Sequence, residues 1–112
     1  MFYYLSNGSE SCILDSMPIR AATAVPVAQR AAVFKALGEP RRLRIVDFLR
    51  RRSDEATGTE VAKHAGISLA LLCHHTDALV EAGIVRKRKE GQTCYFRLNR
   101  PALALALRNL GV

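Results

Sequence analysis

No run of apolar residues in this 112-residue chain approaches the roughly 20 that a membrane span requires. The first residues, "MFYYLSNGSESCILDSMPIR", lack a charged start followed by an apolar core, so they do not read as a secretory signal. Three cysteines, an odd number without paired spacing, argue against a disulfide scaffold. A cytoplasmic protein is the expectation. There is no glycine-rich phosphate loop, no paired-carboxylate arrangement, no internal repeat and no low-complexity segment. Enzyme activity is therefore not expected.

Acidic residues are also in short supply. Ten Asp and Glu face seventeen Lys and Arg, a formal charge of +7. A basic domain of this size points to an anionic partner, nucleic acid first, then an acidic protein or a membrane surface. Positive charge that only aids solubility is the plain alternative. The length suits one domain with one modest core, which burial in an oligomer would help. Residues 1–22 read as a flexible arm, with Met17 offering a second start, and 23–112 as the folded domain.

"VAQRAAVFKAL", Val27 to Leu37, is rich in helix formers, and Gly38 is a natural stop. Pro40 then stands where a helix can begin. "PRRLRIVDFLRRR" places Leu43, Val46 and Leu49 on one stripe, broadened by Ile45 and Phe48. Thr57 and Glu60 have capping-box spacing, with Thr59 as a rival cap, and the short helix they open ends at Gly66. Ser68 caps a longer helix running to about Ala82. A short helix, a tight glycine turn and a longer helix are the outline of a helix-turn-helix.

The period then changes. Cys94, Phe96 and Leu98 alternate with Thr93, Tyr95 and Arg97, as in a half-buried strand. Ile84 to Lys89 forms the preceding strand and Glu90-Gly91-Gln92 the turn: a basic two-stranded wing. Pro101 opens a last helix, with Leu103, Leu107 and Leu110 on one face. It is apolar nearly all round, so it should be buried, with a partner subunit as its cover. The fold class is α+β, mainly α: a winged helix-turn-helix with flanking dimerisation helices.

This order, carried by "FKALGEPRRLRIVDFL", "VAKHAGIS" and "CHHTDALVEAGIVRKRKEGQTCYFRLN", resembles the ArsR/SmtB family of winged-helix bacterial transcriptional repressors. The similarity covers about Val33 to Leu98. It implies a homodimer that binds double-stranded DNA and leaves its operator on a metal, arsenite or thiol-oxidant signal. It also implies that Ser68 to His75 begin the recognition helix, that Lys87 to Gln92 form the wing tip, and that helix 24–37 and the last helix build the dimer interface. The DNA-binding set is then Ser68, Leu69, Ala70, Leu71, Cys73, His74, Lys87, Arg88, Lys89 and Gln92.

Several positions depart from the family pattern. Leu69, Ala70 and Leu71 stand where polar residues are usual; they can touch thymine methyls but make no bidentate hydrogen bonds to bases. Thr76 replaces a core leucine. The cysteine pair expected near Thr57 and Thr59 is absent, and the last helix has no histidine or acidic residue. No metal site and no cofactor is expected. An exposed apolar helix start also suits an alternative: a protein-interaction module that reaches DNA only weakly or through a partner.

Cys73, His74 and His75 point about 100° apart on a helix, so they cannot converge on one ion or pair as nucleophile and base. His74 faces outward, to DNA or to solvent. His75 points inward with Leu72 and Leu79, as a packing histidine bonded to backbone. Arg86 to Lys89 lie near phosphates or form only a solvated face. Cys12, Cys73 and Cys94 are candidate sensor thiols, Cys94 otherwise being a buried core thiol.

Overall fold

The computed structural model describes residues 25–109; the arm expected at 1–22, with Cys12, lies outside them, as does Leu110. Helix α1 (Val27–Leu37) buries only Val33 and Ala36 and stops at Gly38. Helix α2 (Pro40–Arg50) starts where the Glu39 carboxylate accepts the Arg41 N–H, with proline in the turn that has no use for its missing donor. Strand β1 (Ala56–Thr57) runs directly into helix α3 (Gly58–Ala65). There the capping box forms as its spacing predicts: Thr57 N–H donates to Glu60 Oε1 at 2.8 Å, and Glu60 N–H to Thr57 Oγ1 at 3.2 Å.

Gly66 ends α3 at φ +70°, a left-handed conformation that a side chain would strain. Ile67 folds back through its N–H to the Ala62 carbonyl, 3.1 Å. Ser68 then caps helix α4 (Leu69–Glu81), its Oγ accepting the Leu71 N–H at 3.1 Å. Strands β2 (Val85–Glu90) and β3 (Thr93–Leu98) follow, then helix α5 (Arg100–Arg108). The hairpin turns at Gly91-Gln92, Gly91 taking the positive φ (+62°) that so short a loop needs. The helix-turn-helix and wing read from the sequence are both present.

The core lies where α2, α3 and α4 meet one face of the sheet. Ile45 and Leu49, Val61, Leu72 and Leu79, Ile84, Val85 and Phe96 fill it. Asn99 ties the layers together: its N–H donates to Ile84 O, its Nδ2 to Gly83 O at 3.0 Å, and its Oδ1 caps α5 at Ala102 N–H. Its burial is therefore compensated at every group.

The structure changes four expectations and shows which side of α5 packs inward. The sheet has three antiparallel strands in the order β1-β3-β2, because Ala56 and Thr57 pair with Phe96 and Tyr95. The first wing strand is Val85–Glu90, shifted by the left-handed Gly83 that precedes it. Leu43 is half exposed: the inward side of α2 is centred on Ile45, Val46 and Leu49, and Leu43 lies well round from it. In α5 the inward residues are Ala102, Leu105 and Ala106; Leu103 only partly packs on the core and Leu107 faces out. Helix α1 begins at Val27, later than residue 24.

Candidate nucleic-acid interface

Helix α4 presents its first turns to solvent. Leu69, Ala70, Cys73 and His74 are exposed with the Ser68 cap, and Leu71 is half-buried. The opposite side holds Leu72, His75, Thr76, Leu79 and Val80 in the core. Thr76, where a leucine was expected, satisfies its hydroxyl by donating to the Leu72 carbonyl at 2.9 Å, so it costs the core little.

His75 is buried as anticipated, but its partners are side chains rather than backbone. Arg42 Nε donates to His75 Nδ1 at 3.2 Å. Arginine can only donate, so the ring is neutral with its proton on Nε2. That nitrogen lies 4.0 Å from Glu39 Oε2 and makes no hydrogen bond. Burial holds the His75 pKa below its ordinary value; Glu39 opposes the shift, and Arg42, His74 and Arg41 add to it. Helix α4 is thus latched to the start of α2. Nothing local in the sequence signals this, because positions 42 and 75 meet only in the fold.

The wing sorts its basic run by strand alternation. Lys87 stands opposite Phe96, and Lys89 opposite Cys94, so both share the face that packs under the helices. Arg86 stands opposite Arg97, and Arg88 opposite Tyr95, on the other face. Arg88 is held there. Its Nε and Nη2 donate to the Glu55 carboxylate at 3.0 and 2.8 Å, its Nη1 to Glu90 Oε1 at 3.3 Å, and its guanidinium lies 4.3 Å above the Tyr95 ring. These bonds raise the Arg88 pKa, and Arg88 in turn lowers that of Glu55. Arg88, placed with the phosphate contacts by sequence, is structurally a clamp between wing and β1. Glu55 was missed; its only signal would have been the strand that follows it, two residues long. Lys89, Gly91 and Gln92 at the tip are exposed.

Cys73 is exposed on α4, whereas Cys94 is half-buried against the core; both are free thiols. His64 stacks on Phe48 with ring centroids 4.5 Å apart, pinning α3 to α2. Among the described residues no three His, Cys, Asp or Glu side chains are grouped to hold a metal ion. None of the described helices is long and apolar enough to cross a membrane.

A capped, solvent-facing second helix beside a basic hairpin is the frame of a DNA reader. The profile of "Bacterial regulatory protein, arsR family" matches residues 39–87. The transcriptional repressor SdpR of Bacillus subtilis is 34% identical over 71 residues, 63% of this chain and 77% of that protein. The chain belongs to the ArsR family of bacterial regulatory proteins. The arsenical resistance operon repressor of Staphylococcus xylosus is similar too, 30% identical over 82 residues, 73% of this chain and 77% of that repressor. Among solved structures, the homodimeric winged helix-turn-helix DNA-binding domain Mb0332 of Mycobacterium bovis superposes with a TM-score of 0.62 at 32% identity, covering 75% of this chain and 78% of that one. This ArsR-family member is a DNA-binding transcriptional regulator, not an enzyme. The profile match runs from the α2 cap to Lys87 and leaves α1, β3 and α5 outside.

Proposed function

We propose that the chain is a homodimeric repressor that sets Ser68 to His74 in a major groove and holds the flanking backbone with Lys87, Lys89 and Gln92. One observation carries this reading: the exposed first turns of α4 and the Lys87–Lys89 face of the wing lie on the same side of the sheet. The outward Leu107 and half-buried Leu103 of α5, with α1, supply the apolar surface for a second copy. The homodimeric form of Mb0332 supports that assembly. Two recognition helices then meet successive major grooves about 34 Å apart. Phosphate contacts carry most of the affinity, while Leu69, Ala70 and Leu71 read little beyond thymine methyls.

The test is an anisotropy titration of the full chain with fragments of its own promoter. Binding should weaken linearly on a log–log salt scale. No binding to any fragment at low salt overturns the reading.

Release by a thiol-reactive, arsenite or metal signal belongs to this proposal, with no resident cofactor. Cys73 is the thiol best placed for it, because an adduct there stands on the DNA-facing side of α4. Cys94 sits on the wing, and Cys12 lies outside the described residues.

Leu69, 52% exposed at the very start of α4, favours a second reading, a protein-docking surface. A stable partner that co-purifies and is lost on Leu69→Ser supports it. A complex untouched by that change counts against it.

A further inference from the structure

Beneath the wing lies a cleft that the DNA-binding reading does not use. It measures about 230 Å³ and is lined by Arg52, Ser53 and Asp54 after α2, Arg86 and Arg97 at the wing root, and Leu98 to Pro101 at the start of α5. Four arginines, Arg52, Arg86, Arg97 and Arg100, thus line it with one acidic residue, Asp54. Arg52 is already paired, its Nε with Asp54 at 3.6 Å and its Nη1 with Glu60 at 3.5 Å.

Three features show that this concentration of charge is built. Arg86 and Arg97 stand directly opposite in the β2–β3 register, where like charges destabilise a strand pair unless something compensates them. Glu55 acts on Arg97 while both of its oxygens accept hydrogen bonds from Arg88. Arg100 is fixed in place, its Nη2 donating to the carbonyls of Arg50 at 2.8 Å and Arg52 at 3.0 Å. The positive end of α5, capped by Asn99, opens on the same cleft.

Guanidinium groups arriving from several sides suit a compact anion with more than one charge and several acceptor oxygens. We propose that this cleft binds a phosphate group, as the free ion or as the terminal group of a small metabolite. The duplex backbone is not its occupant. Arg86 and Arg97 lie on the sheet face turned away from Lys87 and Lys89, and at the root of the hairpin rather than its tip. A bound phosphate would join the end of α2, the wing root and the start of α5.

The test needs no operator, so its failure is separate from failure of the repressor reading. The labelled full chain is titrated with inorganic phosphate, and with sodium chloride at matched ionic strength, following backbone amide shifts. Saturable changes confined to Arg52, Ser53, Arg86, Arg97 and Arg100 are expected with phosphate alone. Arg86→Gln with Arg97→Gln should weaken binding roughly tenfold or more. Arg97→Gln by itself, at an exposed position, should weaken it measurably and covers the case in which the double variant folds poorly. Phenyl phosphate separates the sources: saturation at the same residues means a terminal phosphate is accepted, and saturation by inorganic phosphate alone means the free ion. The proposal is overturned by changes equal to those with chloride, by changes centred on Arg41 or Lys89, or by binding that survives the substitutions. It is equally overturned if a short duplex shifts the cleft residues as strongly as the wing tip.

Discussion

Lys87 and Lys89 share one face of the wing with Phe96 and Cys94; Arg86, Arg88 and Arg97 share the other with Tyr95. The chain reads as one basic run, but alternation every second residue splits it into two charge patterns. On the helix side the lysines stand beside the exposed start of α4. On the far side Arg88 is spent on Glu55 and Glu90, and Arg86 and Arg97 frame a cleft. Charge of one sign therefore lies beside α4 on one face, where we propose that it meets DNA, and serves wing architecture on the other. Position relative to the sheet decides which.

The comparison breaks most directly by reversing charge on each face in turn. Lys87→Glu with Lys89→Glu should lower operator affinity by about 100-fold or more in anisotropy titrations, since two phosphate contacts become repulsive. Arg86→Glu with Arg97→Glu should change it by roughly threefold or less at the same salt, the charges being on the sheet face turned away from Lys87 and Lys89. Equal losses from both pairs would erase the distinction between the faces, provided circular dichroism shows both variants folded.

Removing the clamp should have a smaller effect. Glu55→Gln frees Arg88 and loosens the wing from β1. Operator affinity should fall by roughly fivefold at most, the scale expected of a surface ion pair. Amide exchange at Arg86 to Arg97 should accelerate. Unchanged exchange would mean that Tyr95 and the strand pairing alone hold the wing.

The latch at His75 predicts a pH effect of modest size. Its pKa is lower in the fold than in the unfolded chain, so between those two values the unfolded state binds more protons. The contribution of neutral His75 is complete above the ordinary value near 6.5 and is lost as pH falls from there towards the folded value. The carboxylates of Glu39, Glu55 and Glu60 are shifted down, so their contributions fade only below about 4.5. Thermal melts should therefore give a lower Tm at pH 5.5 than at pH 7.5, and His75→Gln should flatten that difference. A slope unchanged by the substitution would place the titrating group elsewhere.

Smallest in equilibrium terms, Cys73→Ser should leave operator affinity within about twofold, because a serine of similar size keeps the exposed helix surface. It should abolish release by a thiol-reactive agent. Release that persists in Cys73→Ser but disappears in Cys94→Ser would move the sensor to the wing.

Much of this was legible because it is local. The Thr57–Glu60 box, the Gly66 turn, the Ser68 cap and the Gly91 hairpin each rest on residues within a few positions of one another, and each stands where its spacing put it. The partners of long-range side chains were not legible. Arg42 with His75 and Glu55 with Arg88 are each 33 residues apart, and strand β1 is too short to show a period. The inward face of α5 was not legible for a related reason. Where nearly every residue of a helix is apolar, periodicity cannot choose a face, and packing chose Ala102, Leu105 and Ala106.

By itself the sequence determined the order of elements, their caps and turns, the basic character of the wing and the inward turn of His75. Hydrogen bonds across three or four residues and the period of apolar side chains are enough for that. Only the tertiary structure decided which basic residues share the face of the sheet that carries the helices, which are held by carboxylates, and which gather under the wing. Those outcomes depend on strand register and on groups brought together from distant parts of the chain, and no short stretch of sequence contains them.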